Sequence, residues 1–157
     1  MRLLTALLLL VVAGCGVRPS GVTEHGEAPT GVAPGVTLYF LDDAGGLRPS
    51  FRETERLGSV SEALSLLLTG PGTASGQRTG ITSDTTPRVV VVTKAGLVQV
   101  VVPLALSEVT PRGIDQIVCT TLAVHVQSGG DRSTKVQVRF TQPTPESEVE
   151  RTCPVIS

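Results

Sequence analysis

The feature that most limits this chain is an apolar run that stops early. Leu3 to Ala13 is apolar apart from Thr5, and Arg2 precedes it. A bilayer span needs about 20 apolar residues, so the run is too short to cross and has the length of a signal-peptide core. Residues 16–35 read GVRPSGVTEHGEAPTGVAPG, with five glycines and three prolines. No helical or strand period survives such spacing. Ordered structure is therefore expected to begin at Val36.

The apolar run closes in Val12-Ala13-Gly14-Cys15. This resembles the bacterial lipobox, an aliphatic residue and two small ones ahead of a cysteine. The small residues let an extended backbone enter a peptidase site, and the thiol takes a diacylglyceryl group. Residues 1–14 are thus expected to be a signal peptide, and Cys15 the lipidated first residue of a mature chain of 143. The other reading is an ordinary signal peptide with an incidental cysteine. Two or more acyl chains anchor stably where one does not. Residues 15–35 then form a flexible linker with a mean span of about 25 Å.

Charge and aromatic content exclude some partners. Thirteen basic and 14 acidic residues give a net charge of −1, so no global field attracts nucleic acid. Phe40, Phe51, Phe140 and Tyr39 are the only aromatic residues, which leaves few platforms for stacking bases. The core must come from valine, leucine and isoleucine, and the valine excess favours strands.

From Val36 the elements can be read in order. Val36, Leu38 and Phe40 share one strand face, and Thr37, Tyr39 and Leu41 the other. Asp42-Asp43-Ala44-Gly45-Gly46 is turn chemistry. Leu47 to Arg56 reads as the returning strand, with Phe51 and Leu57 inward. Arg48, Arg52 and Arg56 then form a basic stripe, either a solvated face or a contact for an anionic polymer. Ser59-Val60-Ser61-Glu62 fits a capping box ahead of a helix with Ala63, Leu64, Leu67 and Leu68 on one face, stopped by Gly70-Pro71. Residues 70–87 read as loop. Val89 to Val92 and Leu97 to Val102 read as a hairpin of central strands covered on both faces. Thr110-Pro111 opens a second helix with Ile114, Ile117, Val118, Thr121, Leu122 and His125 in one stripe. Val136, Val138 and Phe140 alternate as a last strand, and 142–157 reads as a proline-rich tail. The expected class is α+β, a mixed or antiparallel sheet of about five strands with two helices packed on one face.

With Cys15 lipidated, Cys119 and Cys153 remain as an even pair in a disulfide-permissive compartment. A bridge would tie the tail to the second helix. The rival reading is a buried free thiol at Cys119 and an exposed one at Cys153. Catalytic groups are sparse. His25 sits in the linker beside Glu24 and Glu27, and His125 on an apolar stripe. No Gly-x-Ser-x-Gly elbow accompanies either. Zinc spacing is absent, and Asp42-Asp43 lacks the further ligands of a calcium loop. Glu53, Glu55 and Glu62 offer carboxylates without a positioned pair. The chain is expected to be no enzyme and to need neither metal nor cofactor.

The run GVTLYFLDDAGGLRP, followed by SEALSLLLTGP, resembles the GerMN domain of bacterial envelope and sporulation lipoproteins. The specific signals are the aromatic pair Tyr39-Phe40 before the acidic turn and the stop Leu68-Thr69-Gly70-Pro71. The resemblance spans residues 36–140 and places a GerMN-like domain at 36–141. Two positions depart from the family pattern. Ile81-Thr82 stands in place of isoleucine-proline, and Val101-Val102-Pro103 in place of valine-aspartate. The resemblance implies an α+β domain, exported and anchored, generally non-catalytic.

The leading expectation is a lipid-anchored module on the extracytoplasmic face of the cell membrane. Its partner would be an envelope protein or a cell-wall polymer, with no nucleic acid. The alternatives are a small hydrolase using His125 and a solute-binding lipoprotein, although about 105 folded residues are few for a two-lobed receptor.

Overall fold

The computed structural model describes residues 34–73, 76–82 and 88–156. Cys15, His25 and the expected signal peptide lie outside these residues, as does the linker up to residue 33.

Two strands form the first sheet. β1 (Gly35–Leu41) and β2 (Leu47–Glu53) are antiparallel. The Asp42 carboxylate builds the turn between them: one oxygen accepts the N–H groups of Ala44 at 3.0 Å and Gly46 at 2.7 Å. A short acidic side chain bonding its own backbone is a standard turn device. Val36, Leu38 and Phe40 are fully buried on one face. β2 ends at Glu53, short of Arg56.

α1 (Val60–Leu68) begins at a complete capping box. Ser59 Oγ accepts the Glu62 N–H, and Glu62 accepts the Ser59 N–H at 2.8 Å. Ala63, Leu64, Leu67 and Leu68 are buried. Gly70 follows with φ of 80°, the left-handed conformation glycine adopts past a helix end.

The second sheet has the order β3 (Val90–Lys94), β4 (Leu97–Val101), β5 (Lys135–Arg139) and β6 (Glu150–Arg151). β4 and β5 are parallel and the other pairs antiparallel. A parallel pair needs a long crossover, and α2 (Pro111–Gln127) lies in it. Thr110 caps α2 through the Gly113 N–H, with Pro111 in the first turn.

α2 is the central element. It contacts β1, α1 and β5, and the stretch Gln116–Leu122 is buried throughout. Its polar members close an open strand edge. β1 pairs with β2 on one side only. On the other side, the Tyr39 N–H donates to Thr120 Oγ1 and the Tyr39 carbonyl accepts from Gln116 Nε2, both at 2.9 Å. Gln127 Nε2 donates to the Gly35 carbonyl at 3.2 Å. Spacings of four and seven return to the same helix face. Leu41 completes the edge by exchanging two backbone bonds with Arg78. Gln116 Oε1 also accepts the Gly80 N–H at 2.7 Å. The approach is close: a Cβ on Gly113 would stand 2.3 Å from the Gly80 carbonyl oxygen.

The class is α+β, as read from the sequence, with differences in arrangement. Among the described residues, six strands divide between two sheets instead of forming one. Phe51 and Leu57, expected inward, are 49% and 44% exposed. The Phe51 ring lies over Gly35, where a Cβ would meet it at 2.3 Å. The valine hairpin is not central. β3 is an edge, and Val90, Val92 and Val101 face outward because the outer side of the sheet is covered only at β5, where the 145–148 turn buries Gln137. The tail is not a simple tail: its residues 145–148 make a 3-10 turn and 150–151 supply β6.

Replacing Gln116 with leucine is expected to leave the Tyr39 carbonyl and the Gly80 N–H unpaired. At about 1–3 kcal/mol per buried orphan, the loss should be about 3 kcal/mol in urea unfolding. A loss below about 0.5 kcal/mol would show that the edge does not depend on this side chain.

Candidate functional site

The residues singled out from sequence do not converge. The arginine stripe is divided by its carboxylate partners. Arg48 Nε bonds Asp42 at 3.0 Å. Arg56 lies beyond β2 and pairs with Glu62. Of the three, Arg52 makes no ion pair among the described residues. Asp42 and Asp43 are likewise engaged, the latter with Arg78 at 2.9 Å, so the acidic turn is a structural joint. Among the described residues no three His, Cys, Asp or Glu side chains gather to hold a metal.

His125 lies in the last turn of α2. Its Nε2 is 3.2 Å from Thr134 Oγ1. Thr134 is 4% exposed, so this hydroxyl is withheld from any substrate. The ring packs against the backbone of Gly130, where an added Cβ would stand 2.2 Å from Nε2. Asp131 turns its carboxylate to the N–H and hydroxyl of Ser133 at 2.7 and 2.8 Å. The arrangement fixes the end of α2 and the turn into β5.

Cys119 and Cys153 are joined by a disulfide with Cα atoms 4.8 Å apart. Of the two readings open from sequence, this is the bridge. Both residues are buried. The bond fastens the segment after β6 to the middle of α2.

A groove of about 480 Å³ runs between the end of the hairpin and α1. Val36, Gly58 and Leu66 supply apolar wall, and Thr54, Ser61 and Ser65 polar wall. The Arg56–Glu62 pair lies at this groove. Hydrogen bonds from the Ser59 N–H and hydroxyl, assisted by Arg56, hold the Glu62 carboxyl below the usual range. The Gly46 N–H and then Arg48 do the same for Asp42, and the Ser133 N–H and hydroxyl for Asp131. These groups cap, turn and orient. A small ligand in the groove would meet the Arg56–Glu62 pair, the Glu55 carboxylate, hydroxyls and the apolar wall.

Sequence reasoning missed the buried polar residues Gln116 and Thr120, which matter most to the architecture. Their signal was polar side chains recurring at helical spacing inside an otherwise buried helix.

No family model matches the chain, and no curated protein does. Solved structures do match in fold. One is the pair of tandem GerMN domains of the sporulation protein GerM from Bacillus subtilis, at 22% identity and a TM-score of 0.52. The match covers 78% of this chain and 44% of that one, so this chain spans under half of the tandem structure. The first GerMN domain of the same protein matches at 21% identity and a TM-score of 0.50, over 78% of this chain and 94% of that one. The fold is GerMN-like.

Two outcomes follow. Removing the bridge as Cys119→Ala with Cys153→Ala should lower stability by about 4 kcal/mol on loop-entropy grounds, measured by denaturant unfolding. An unchanged midpoint would show that the bond constrains nothing. The second concerns acid. Asp42, Glu62 and Asp131 all have folded pKa values below their unfolded ones. Their contribution is complete above the unfolded carboxylate range of about 4 and is lost as pH falls through the lower folded values. The melting temperature should therefore hold level from neutrality to about pH 5 and fall below about pH 4, less steeply in Asp42→Asn. A melting temperature that rises on acidification to pH 3 would contradict this.

Proposed function

Starting from a GerMN-like fold, we propose that the chain is a non-catalytic lipoprotein held by lipid on Cys15 at the extracytoplasmic face of a bacterial cell membrane. Its domain acts there as a binding or scaffolding module for an envelope protein or wall polymer. The observation that carries the reading is the short apolar run ending in Val12-Ala13-Gly14-Cys15. Such a run is too short to span and ends where a thiol becomes available. The glycine- and proline-rich stretch behind it sets a domain at a distance from its anchor. The bridge between Cys119 and Cys153 is in keeping with an oxidising compartment.

The binding role draws on the chemistry of the described side chains. The imidazole of His125 faces a buried threonine. A nucleophile and its base stand within hydrogen-bond reach of each other, and the hydroxyl 3.2 Å from His125 is that of the buried Thr134.

Membrane fractionation with mass analysis of the amino-terminal peptide tests the anchor. The wild-type chain should partition with membranes and carry a diacylglyceryl mass on Cys15. Cys15→Ala should appear in the soluble fraction or be retained as uncleaved precursor with no lipid mass. A Cys15→Ala chain that is cleaved and still quantitatively membrane-bound would defeat the proposal.

A further inference from the structure

The described arginines and lysines divide into two groups. Arg48, Arg56, Arg78, Arg112 and Arg151 pair with carboxylates, and Arg132 also has a partner. Arg52, Arg88, Lys94, Lys135 and Arg139 make no ion pair. Four of these five fall on the outer face of the second sheet.

Strand alternation and register place them. Val91, Val98, Val100, Val136 and Val138 point to the packed side. Their neighbours point away. On β3 these are Val90, Val92 and Lys94, with exposed Arg88 two residues ahead of Val90. Val90 stands beside Val101 and then Arg139, and Lys94 beside Leu97 and then Lys135. Between them Gln99 bonds Gln137, which in turn donates to the Ser147 carbonyl. Val90, Val92 and Val101 are 54%, 44% and 37% exposed. Val90 and Val92 thus lie in the β3 row between Arg88 and Lys94. Leu97, Gln99 and Val101 lie between that row and the one holding Lys135 and Arg139. Gln137 in the second row is covered by the 145–148 turn. β3 and β5 are two strand spacings apart, about 10 Å. Two carboxylates border the face on its β5 side: Glu150 on β6, in register with Gln137, and Glu148, which accepts from the outward Gln137 amide at 3.3 Å.

The geometry selects an occupant. A helix with its side chains is about 10–12 Å across, the width between the cation rows. α2 already contacts β5 of this sheet. A second copy docking face to face would set these cations against themselves. A lipid surface is reached by large apolar side chains that penetrate the headgroups, and the valines here are short. A wall polymer would use the cations and leave the valines without purpose.

We infer that the outer face of β3, β4 and β5 docks an acidic amphipathic helix of a partner protein. The apolar stripe of that helix meets Val90, Val92 and Val101. Its flanking Asp or Glu residues meet Arg88 and Lys94 on one side, and Lys135 and Arg139 on the other. The inference rests on the binding-module reading and names the chemistry of the partner.

The test uses the full-length chain in phosphatidylcholine nanodiscs. The probe is a fluorescent synthetic helix with leucines at helical spacing flanked by glutamates. A second peptide carries lysines in place of the glutamates. Anisotropy should show binding of the glutamate peptide only, weakened by added salt as screened charges require. Lys135→Glu with Arg139→Glu should weaken it about tenfold, two rim charges of about 0.7 kcal/mol each. Val92→Asp should weaken it as well, and Arg52→Glu should leave it unchanged. All substituted side chains are at least partly exposed, and unchanged amide spectra will report intact folding. No binding, equal binding of both peptides, or indifference to both face variants would overturn the inference. So would valine methyl shifts on exchanging phosphatidylcholine for phosphatidylglycerol without peptide, which would assign the face to lipid. Fractionation of Cys15→Ala reads the anchor separately, so failure of one leaves the other standing.

Discussion

The structure depends on how the free edge of β1 is closed. A strand paired on one side presents a row of unsatisfied N–H and carbonyl groups on the other. Burying that row without partners would cost a few kcal/mol for each group. Here a helix covers it with side chains: Thr120 and Gln116 take both backbone groups of Tyr39, and Gln127 takes Gly35. α2 must therefore be polar along one line and apolar around the rest. This explains a helix that is buried on nearly every side while carrying glutamine and threonine in its middle. The same face needs Gly113, because the Gly80 carbonyl passes too close for a side chain.

The remaining faces of α2 organise the rest of the molecule. Ile117, Leu122 and Val124 join the valines of β4 and β5 in one core. The helix is also part of the crossover that makes β4 and β5 parallel. Cys119 fastens the last segment through Cys153. That segment adds β6 to the sheet edge, and Gln137 secures it through the Ser147 carbonyl. One element thus closes a strand edge, supports a sheet and holds a terminus.

Charge is distributed with the same economy. In the first sheet and α1, Asp42 pairs with Arg48 and Glu62 with Arg56, while Arg52 makes no ion pair among the described residues. Each carboxylate also completes a backbone turn or cap, so these pairs are bound up with folding. The second sheet carries Lys94, Lys135 and Arg139 without ion pairs on its outer side, near exposed valines, while Arg151 of β6 pairs with Glu146. This distribution suits a protein whose proposed contribution is to hold something at a fixed distance from a membrane.

Much of this was legible from sequence because it is local. The capping box at Ser59 and Glu62, the Thr110-Pro111 entry, the Asp42 turn and the strand alternation depend on residues within a few positions of one another. The short apolar run ending at Cys15 is legible for the same reason, and it set the expectation of an anchor. Cysteine arithmetic left the bridge as one of two readings, since pairing over 34 positions is a matter of chain path. Only the tertiary structure decided the division into two sheets, the outward turn of Phe51 and the bare face of the valine hairpin. An apolar run has the same appearance whether one face or both are covered. Only the neighbours decide, and those neighbours come from distant parts of the chain. The buried roles of Gln116 and Thr120 were hidden likewise, because their partner is a backbone about 80 residues away.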